Sequence, residues 1–268
     1  MNGAGAAQPS STPGSFRLDN PPIIEAVLDI DCDLPAGLNL AGLEADARKI
    51  FAEQYPKFRT QMLQETKIEQ RPNEPPAASM RQALQALQFF TDDSLQLVQV
   101  RSNGFSFNRL ANPLRPYTSL NEYLPEIRRT WELFFGLVKP LQIRKVGLRY
   151  VNRILLPAAG NRIELDEFLK IGPHLPDEEG MIFAGFIHQH SAVETATGNR
   201  VNTVLMSQPK EDTKLPLIFD IEALRNVQVE PTDWSAIEAI IASLRLLKNR
   251  VFADTLTERC LKLFQRSE

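Results

Sequence analysis

The densest run of basic residues in the chain lies near its middle, in the segment LQIRKVGLRYVNRILLP at residues 141–157. Apolar and polar residues alternate along this segment, which predicts a half-buried β-strand. Lys145, Arg149 and Arg153 share one face of the strand, and Asn152 lies on the other. Because residues four apart in a strand are separated by ~13 Å, the three cations form a row rather than a cluster.

The sequence leaves three interpretations of this basic row open. The row can pair with the acidic face of a strand predicted near the N-terminus, formed by Asp29, Asp31 and Asp33, if two repeats related by a pseudo-two-fold place the strands side by side. It can instead line a groove for an anionic ligand or a nucleic acid. It can also be a plain solvated face.

Three neighbouring features bear on these interpretations. Arg109 could join the basic row, since it alternates with Phe105 and Phe107 and aromatic residues interleaved with cations can stack bases; the alternative is that both phenylalanines belong to the core. Asn152 is expected to be a hydrogen-bonded buried amide. Gly147, in the middle of the strand, predicts a bulge or a close backbone approach.

His188 and His190 have the only metal-like spacing in the chain. On a strand, both imidazoles would point to the same side. A zinc or iron site needs a third ligand, for which the candidates are His174, Glu194 and Asp220. Such a site would support a metal-dependent hydrolase or nuclease, and the alternative is a solvated or hydrogen-bonded histidine pair.

No other residue pattern points to a known chemistry. The sequence contains no P-loop, dinucleotide-binding fingerprint, G-x-S-x-G elbow, H-E-x-x-H motif or C-x-x-C motif. We therefore predict no cofactor and nominate no catalytic residue.

The first half of the chain is predicted to alternate between strands and helices. Asn103-Gly104 predicts a two-residue hairpin, because both residues tolerate positive φ, and Pro125 fits only in the first turn of a helix. The predicted elements are a strand in IIEAVLDIDCDLP, a helix from Asn39 to about residue 54, an ambiguous segment at 62–70, strands near 83–91, 95–102 and 105–110, and a helix from residue 119 or 121 to about 138.

The second half begins with the basic strand and repeats the same plan. Thr255, followed three residues later by Glu258, predicts a capping box at the start of a last helix. The other predicted elements are a short helix near 163–169, strands near 181–193, 200–208 and 215–223, and an amphipathic helix near 231–252.

This order predicts an α+β fold with an internal repeat of about 120 residues. After a disordered leader at 1–15, two β-α-β(3–4)-α repeats at 16–140 and 141–268 would pack as one unit. The repeats would share one long antiparallel sheet with the helices on one face, as in TATA-binding-protein-like or helix-grip-like duplications. This analogy concerns the fold and carries no function.

Length and composition predict an ordinary soluble protein: 268 residues, 43% of them apolar and 24% charged. The net charge of −3 hides an asymmetry, because residues 101–162 contain eleven Lys and Arg against three acids, which indicates a basic surface or a pairing between two parts of the chain. No apolar run reaches the ~18 residues of a membrane span, and the N-terminus does not resemble a signal peptide, so we predict a cytoplasmic location and no membrane partner. Cys32 and Cys260 predict two buried thiols in a reducing compartment.

Three stretches together resemble a known family: NPPIIEAVLDI at 20–30, FSFNRL at 105–110 with the later Pro116-Tyr117, and KVGLRYVNRI at 145–154. From residue 16 onward the chain is similar to the sporadically distributed bacterial and archaeal family with N-P-P-[IL]-[IV]-E-A and G-L-R-Y-x-N-R blocks, for which no activity is established. The patchy distribution of that family implies horizontal transfer, which fits defence or mobile-element cargo. The resemblance implies no catalytic residue.

These observations predict a non-enzymatic binding or interaction protein, as an accessory of bacterial defence or mobile elements, whose partner is another protein or an anionic ligand. The alternative is a nucleic-acid or anionic-ligand binder that uses the middle segment, and a further alternative is a hydrolase that uses His188 and His190. The candidate ligand-binding residues are Lys145, Arg149, Arg153, Arg109 and Asn152.

Overall fold

The computed structural model describes residues 18–69, 77–158, 164–172 and 184–265. Within these residues, nine β-strands form one antiparallel sheet. In chain order the strands are β1 Ile23–Asp33, β2 Lys57–Glu69, β3 Ala77–Phe90, β4 Gln96–Arg101, β5 Gly104–Leu110, β6 Gln142–Pro157, β7 Ile187–Val193, β8 Arg200–Ser207 and β9 Lys214–Val229.

Four α-helices of the described ranges pack against this sheet. They are α1 Leu40–Phe51, α2 Leu120–Val138, α3 Trp234–Thr255 and α4 Glu258–Lys262. No described helix is long and apolar enough to cross a membrane. The predicted α+β class and the single antiparallel sheet are confirmed.

A continuous apolar row explains why the helices lie on one side of the sheet. Leu148 of β6 is paired with Leu28 of β1, which is paired with Phe107 of β5, and the row continues through Val98 to Phe89 of β3. All five side chains are buried. Since paired residues point to the same face of a sheet, this row marks the face that the helices must cover to remove it from water.

Aromatic contacts fix each long helix on that face. Phe51 of α1 stacks on Phe89 with ring centroids 4.9 Å apart, and Trp131 of α2 meets Phe105 edge-on at 5.7 Å. Phe252 of α3 stacks on Phe219 of β9 at 6.0 Å. We call this side of the sheet the helix face and the opposite side the open face.

The two halves of the chain meet where β1 pairs with β6. The strand order is β2-β3-β4-β5-β1-β6-β9-β8-β7, so the first strand of each half lies beside the last strand of its own meander. The β1–β6 ladder runs antiparallel from Ile23↔Asn152 to Asp33↔Gln142. This central ladder makes one continuous sheet out of two sets of strands.

Several predicted elements change in the structure. Residues 62–69 of the ambiguous segment belong to β2, and the described residues of the helix expected near 163–169 form a single 3-10 turn at Leu165–Glu167. The predicted capping box is wrong: Thr255 ends α3 and bonds back to the Val251 carbonyl at 2.8 Å, whereas Thr257 caps α4. The predicted leader at 1–15 lies outside the described residues.

The β4–β5 hairpin is confirmed, but its turn is not the predicted one. Arg101 pairs with Gly104, so the two loop residues are Ser102 and Asn103, and Asn103 does not adopt positive φ. Gly104 is the first residue of β5, with φ of +150°. A Cβ at Gly104 would lie 2.1 Å from the Ile30 carbonyl oxygen, so a glycine is required there by the approach of β1.

The expectation for Gly147 is wrong. The ladders continue through it without a bulge, with Gly147 opposite Asp29 of β1 and Leu224 of β9. A Cβ at this position would meet the Cβ atoms of those two residues at 3.8 and 3.9 Å, which are ordinary contact distances. The glycine is therefore not demanded by backbone geometry.

We expect alanine substitutions at these two glycines to change the free energy of unfolding in opposite directions. Gly147→Ala is expected to raise the free energy of unfolding by about 0.5–1 kcal/mol, because alanine reduces the freedom of the unfolded chain and fits the folded one. Gly104→Ala is expected to lower it by roughly 2 kcal/mol or more, because the new methyl group collides with the backbone of β1. Urea unfolding of both variants checks the pair, and equal effects would contradict it.

Candidate functional site

The structure separates the predicted site residues onto the two faces of the sheet. Lys145, Arg149 and Arg153 lie on the open face, because they alternate with core residues such as Leu148 along β6. Arg109 and Asn152 are buried on the helix face. The five residues therefore do not form one site.

Each cation of the basic row has a carboxylate partner. Lys145 Nζ lies 2.6 Å from Asp31 on β1, as the pairing interpretation expects. Arg149 turns the other way and holds Asp220 of β9 with two nitrogens, at 2.9 and 2.5 Å. Arg153 donates to Glu211, in the connection before β9, at 2.6 Å.

The aspartates on the acidic face of β1 accept hydrogen bonds from strands on both sides of β1. Asp31 also accepts from Arg101 of β4 at 2.7 Å, and Asp29 accepts from the Ser106 hydroxyl of β5. Asp33, at the end of the strand, accepts from Arg144 Nε at 2.6 Å, and this guanidinium lowers the pKa of the Asp33 carboxyl. Among the described ion pairs, Asp31 is the β1 acid that holds a cation of the basic row.

Side-chain amides extend this network of polar contacts across the open face of the first-half strands. Gln88 Nε2 donates to Gln61 at 3.2 Å and to Gln99 at 3.0 Å. Gln99 Nε2 donates to Asn108 at 3.1 Å, and Asn108 Nδ2 donates to Glu25 at 2.9 Å. The amide ladder thus crosses five strands and ends on a carboxylate, which can only accept hydrogen bonds when ionised.

The network of side-chain hydrogen bonds continues toward the opposite edge of the sheet, on β7, β8 and β9. Asn202 of β8 donates to Glu222 of β9 at 2.9 Å and accepts from Ser191 of β7 at 2.8 Å. We call the central part of this surface the polar face. It consists of Glu25, Asp29, Asp31, Gln99, Arg101, Ser106, Asn108, Lys145, Arg149, Asp220 and Glu222.

The polar face carries five carboxylates and three cations, a net charge of −2 when all are ionised. Arg149 and Lys145 keep 47% and 34% of their side-chain surface exposed, and Asp29 keeps 29%. Ion pairs this exposed contribute only ~0–1 kcal/mol each to stability. Their main effect is to hold a fixed pattern of donors and acceptors at the surface.

Arg109 does not join the basic row. Its guanidinium is buried between β5 and α2, where Nε donates to the Tyr123 hydroxyl at 3.0 Å and Nη1 to the Leu95 carbonyl at 3.1 Å. Phe105 and Phe107 are also buried, so they belong to the core and cannot stack bases. A cavity of about 10 Å³ beside Arg109 has room for roughly one water molecule.

Asn152 is the satisfied buried amide that its position on the apolar face predicts. It is 2% exposed, and Nδ2 donates to the Phe219 carbonyl of β9 at 2.9 Å. This bond ties β6 to β9 beneath α3.

His188 and His190 share the helix face of β7, with ring centroids 5.4 Å apart. His190 is hydrogen-bonded to the Thr203 hydroxyl at 3.0 Å, and burial lowers its pKa. The pair lines an open groove of about 560 Å³ together with Lys170 and Asp254.

The proposed third metal ligands do not complete a site. Asp220 lies on the open face and is held by Arg149, and Glu194 is engaged by Arg250, Thr197 and Asn199. His174 lies outside the described residues. Across the described ranges, no group of three His, Cys, Asp or Glu side chains could hold a metal ion.

The two cysteines behave as the sequence predicts. Cys32 and Cys260 are both free and buried. Burial raises the pKa of each thiol to about 12. Neither is therefore a reactive thiolate at neutral pH.

Sequence reasoning missed a buried lysine on the helix face. Lys248 of α3 is 9% exposed, and its Nζ lies 3.9 Å from the centre of the Tyr150 ring of β6. The signal was present, because Lys248 lies four residues after Leu244 and four before Phe252, within the apolar register of α3. A cation at such a position is rarely buried without a partner.

Burial gives Lys248 an unusual protonation state. Desolvation, aided by the nearby positive charge of Arg245, lowers its pKa from the ordinary 10.5 to about 7. Between about pH 7 and 10.5, the Lys248 amine is protonated in the unfolded chain and neutral in the folded chain. The free energy of unfolding should therefore rise as the pH increases from about 7 toward 10.5.

Comparison with known proteins supplies no identity. The chain matches no protein-family model, and no curated protein matches it. The resemblance of its three segments to the sporadically distributed family remains a prediction.

The burial of Lys248 predicts how its replacement changes the stability of the protein. Lys248→Met is expected to raise the free energy of unfolding at pH 7 by roughly 1–3 kcal/mol, because an apolar side chain replaces a buried amine that has no carboxylate partner among the described residues. As the pH rises from about 7 toward 10.5, the free energy of unfolding of the wild type should increase relative to that of the variant. Lys49→Met, exposed on α1, is the matched control; parallel pH curves for wild type and Lys248→Met would contradict the assignment.

Proposed function

We propose that this chain is a non-enzymatic binding protein that receives another protein on the polar face. The observation that carries the proposal is the ordered network of partly exposed amides, carboxylates and cations on the open side of the sheet. The amide ladder and the ion pairs hold these groups before any partner arrives, so association costs less side-chain entropy than it would on a surface of free side chains.

The dimensions of the open face suit a protein partner. Nine strands spaced ~4.8 Å apart span about 40 Å, and six residues along a strand span about 20 Å, which together make about 800 Å². One side of a standard protein–protein interface buries about the same area. A small ligand would use only a fraction of this network.

Apolar side chains flank the polar face on the β7 side. Ile187 is 74% exposed, and it lies in one transverse row with Met206 of β8 and Ile218 of β9. Both neighbours are half-buried. Interfaces commonly combine exposed apolar area with ordered polar groups in this way.

The charge of the polar face favours a partner with a basic surface. Its cations are already held by carboxylates, so few remain to neutralise phosphates, as nucleic-acid binding requires. Glu25 and Glu222, in contrast, accept hydrogen bonds only from the neutral amides of Asn108 and Asn202 among the described contacts. They are the groups that lysine or arginine side chains of a partner would approach.

Two broader parts of the proposal concern origin and setting. The matching strand order on either side of the β1–β6 pair supports an internal duplication of the two halves. The resemblance of three segments to a patchily distributed prokaryotic family supports an accessory role in bacterial defence or mobile elements.

Removing two charges without changing shape tests the main proposal. Glu25→Gln combined with Glu222→Gln keeps an acceptor for both asparagines. We expect the affinity for the partner, captured from cells and then purified, to fall at least about tenfold, since buried charged contacts contribute about 1.5–3 kcal/mol each. Calorimetry with the isolated partner measures this.

The matched control is Glu53→Gln combined with Glu132→Gln, two exposed acids on the helix side. It should leave the affinity unchanged. Equal loss in both double variants would place the interface elsewhere. Tight binding of a nucleic acid that weakens steeply with salt, and that Arg149→Ala abolishes, would overturn the proposal in favour of a phosphate-binding surface.

A further inference from the structure

Hydrogen-bond donors gather on the helix face, where the start of α2 meets α3 and β6. The group consists of the Tyr117 and Tyr150 hydroxyls, the Arg245 guanidinium and the Lys248 ammonium, and we call it the donor cluster. It lies on the opposite side of the sheet from the polar face. The proposed function does not use it.

Lys248 is the central member of the cluster. Its side chain is more than nine-tenths buried, and its Nζ lies over the Tyr150 ring. Among the described residues, none accepts a hydrogen bond from Nζ, and no carboxylate contributes to its titration. The tip of this side chain still touches solvent, so water or a bound anion must accept its three hydrogen bonds.

The tyrosine pair supplies another free donor. The two hydroxyl oxygens lie 3.0 Å apart in a buried contact, so one hydroxyl donates to the other. The accepting hydroxyl keeps its own proton for a further bond. Burial raises the pKa of Tyr150 to about 12 and that of Tyr117 further, so both stay protonated at neutral pH.

Arg245 adds a permanent charge one turn before Lys248. Its Nη1 donates to the Asn121 side-chain oxygen at 2.5 Å, and in the described part of the chain this neutral amide is its hydrogen-bonding partner. Asn121 is the second residue of α2, which Ser119 caps. The positive end of the α2 dipole therefore points into the same region as the two cations.

We propose that the donor cluster binds a small oxyanion, a carboxylate or a phosphate, with Lys248 and Arg245 as its charged ligands and a tyrosine hydroxyl as a third donor. The anion would supply the acceptor that Lys248 lacks. It would also keep the amine protonated, because an adjacent negative charge favours the charged form.

This coupling makes binding depend on pH with a defined sign. Of the two protonation states of Lys248, only the ammonium attracts the anion, so the affinity should fall up to about tenfold per pH unit above the pKa of Lys248. The groups beside Lys248 are Arg245 on α3 and Tyr150 on β6, and these two are hydrogen-bonded to Asn121 on α2 and to Tyr117 before α2. None of them changes charge between pH 6 and 8.5, so a change in affinity over that range reports the amine.

Calorimetry of the full chain with acetate and with inorganic phosphate tests the site. At about pH 6.5 and constant ionic strength maintained with chloride, we expect at least one of the two to bind wild type at least tenfold more tightly than Lys248→Met. The tighter of the two distinguishes a carboxylate from a phosphate ligand. With acetate, whose charge is constant in this range, affinity should fall from about pH 6.5 to 8.5 in wild type only.

Controls separate the site from general salt effects. Lys262→Met, exposed on α4, should bind as wild type does. Tyr117→Phe should weaken binding several-fold while leaving the charge of the site intact. Equal affinities for wild type and Lys248→Met, or no binding of either anion up to about 50 mM, would overturn the proposal, and since Lys248→Met is expected to be the more stable protein, misfolding cannot account for a loss.

Discussion

The antiparallel pairing of β1 with β6 is the interaction on which the rest of the structure depends. It joins two sets of strands into one sheet and makes a single apolar surface that α1, α2 and α3 cover together. Separated, each half would leave the flank of its first strand unpaired and its apolar face partly exposed. The same ladder brings Asp31 to Lys145 and sets Tyr150 beneath α3.

One sheet with all its helices on one side has two chemically different faces. On the open face, most polar groups other than Ser106 and Asn108 stay partly exposed, which permits an amide ladder and many ion pairs. On the helix face, the same kinds of group are desolvated, so each needs a partner. Asn152 and Arg109 have hydrogen-bond partners, whereas Lys248 contacts an aromatic ring and makes no hydrogen bond within the described residues.

Sequence periodicity predicted most elements, because alternation and helical spacing are local consequences of burial on one side. It failed where the deciding contact is remote. Gly104 and Gly147 look alike in the sequence, yet only Gly104 lies against the carbonyl of Ile30. Thr255 with Glu258 fits a capping pattern, but α3 extends through Thr255 because its side of the helix is packed against the sheet.

By itself, the sequence determined the α+β class, the long strands with one apolar face, and the two buried thiols, since each follows from residue type and spacing. It also located the acidic face of β1 and the basic row of β6. Only the tertiary structure decided how these charges pair, because Arg149 could reach either neighbouring strand and selects Asp220 on β9. It likewise decided that Arg109 and Asn152 lie apart from the basic row, and that Lys248 meets Tyr150. Side-chain partners across strands depend on strand order and register, which local patterns do not encode.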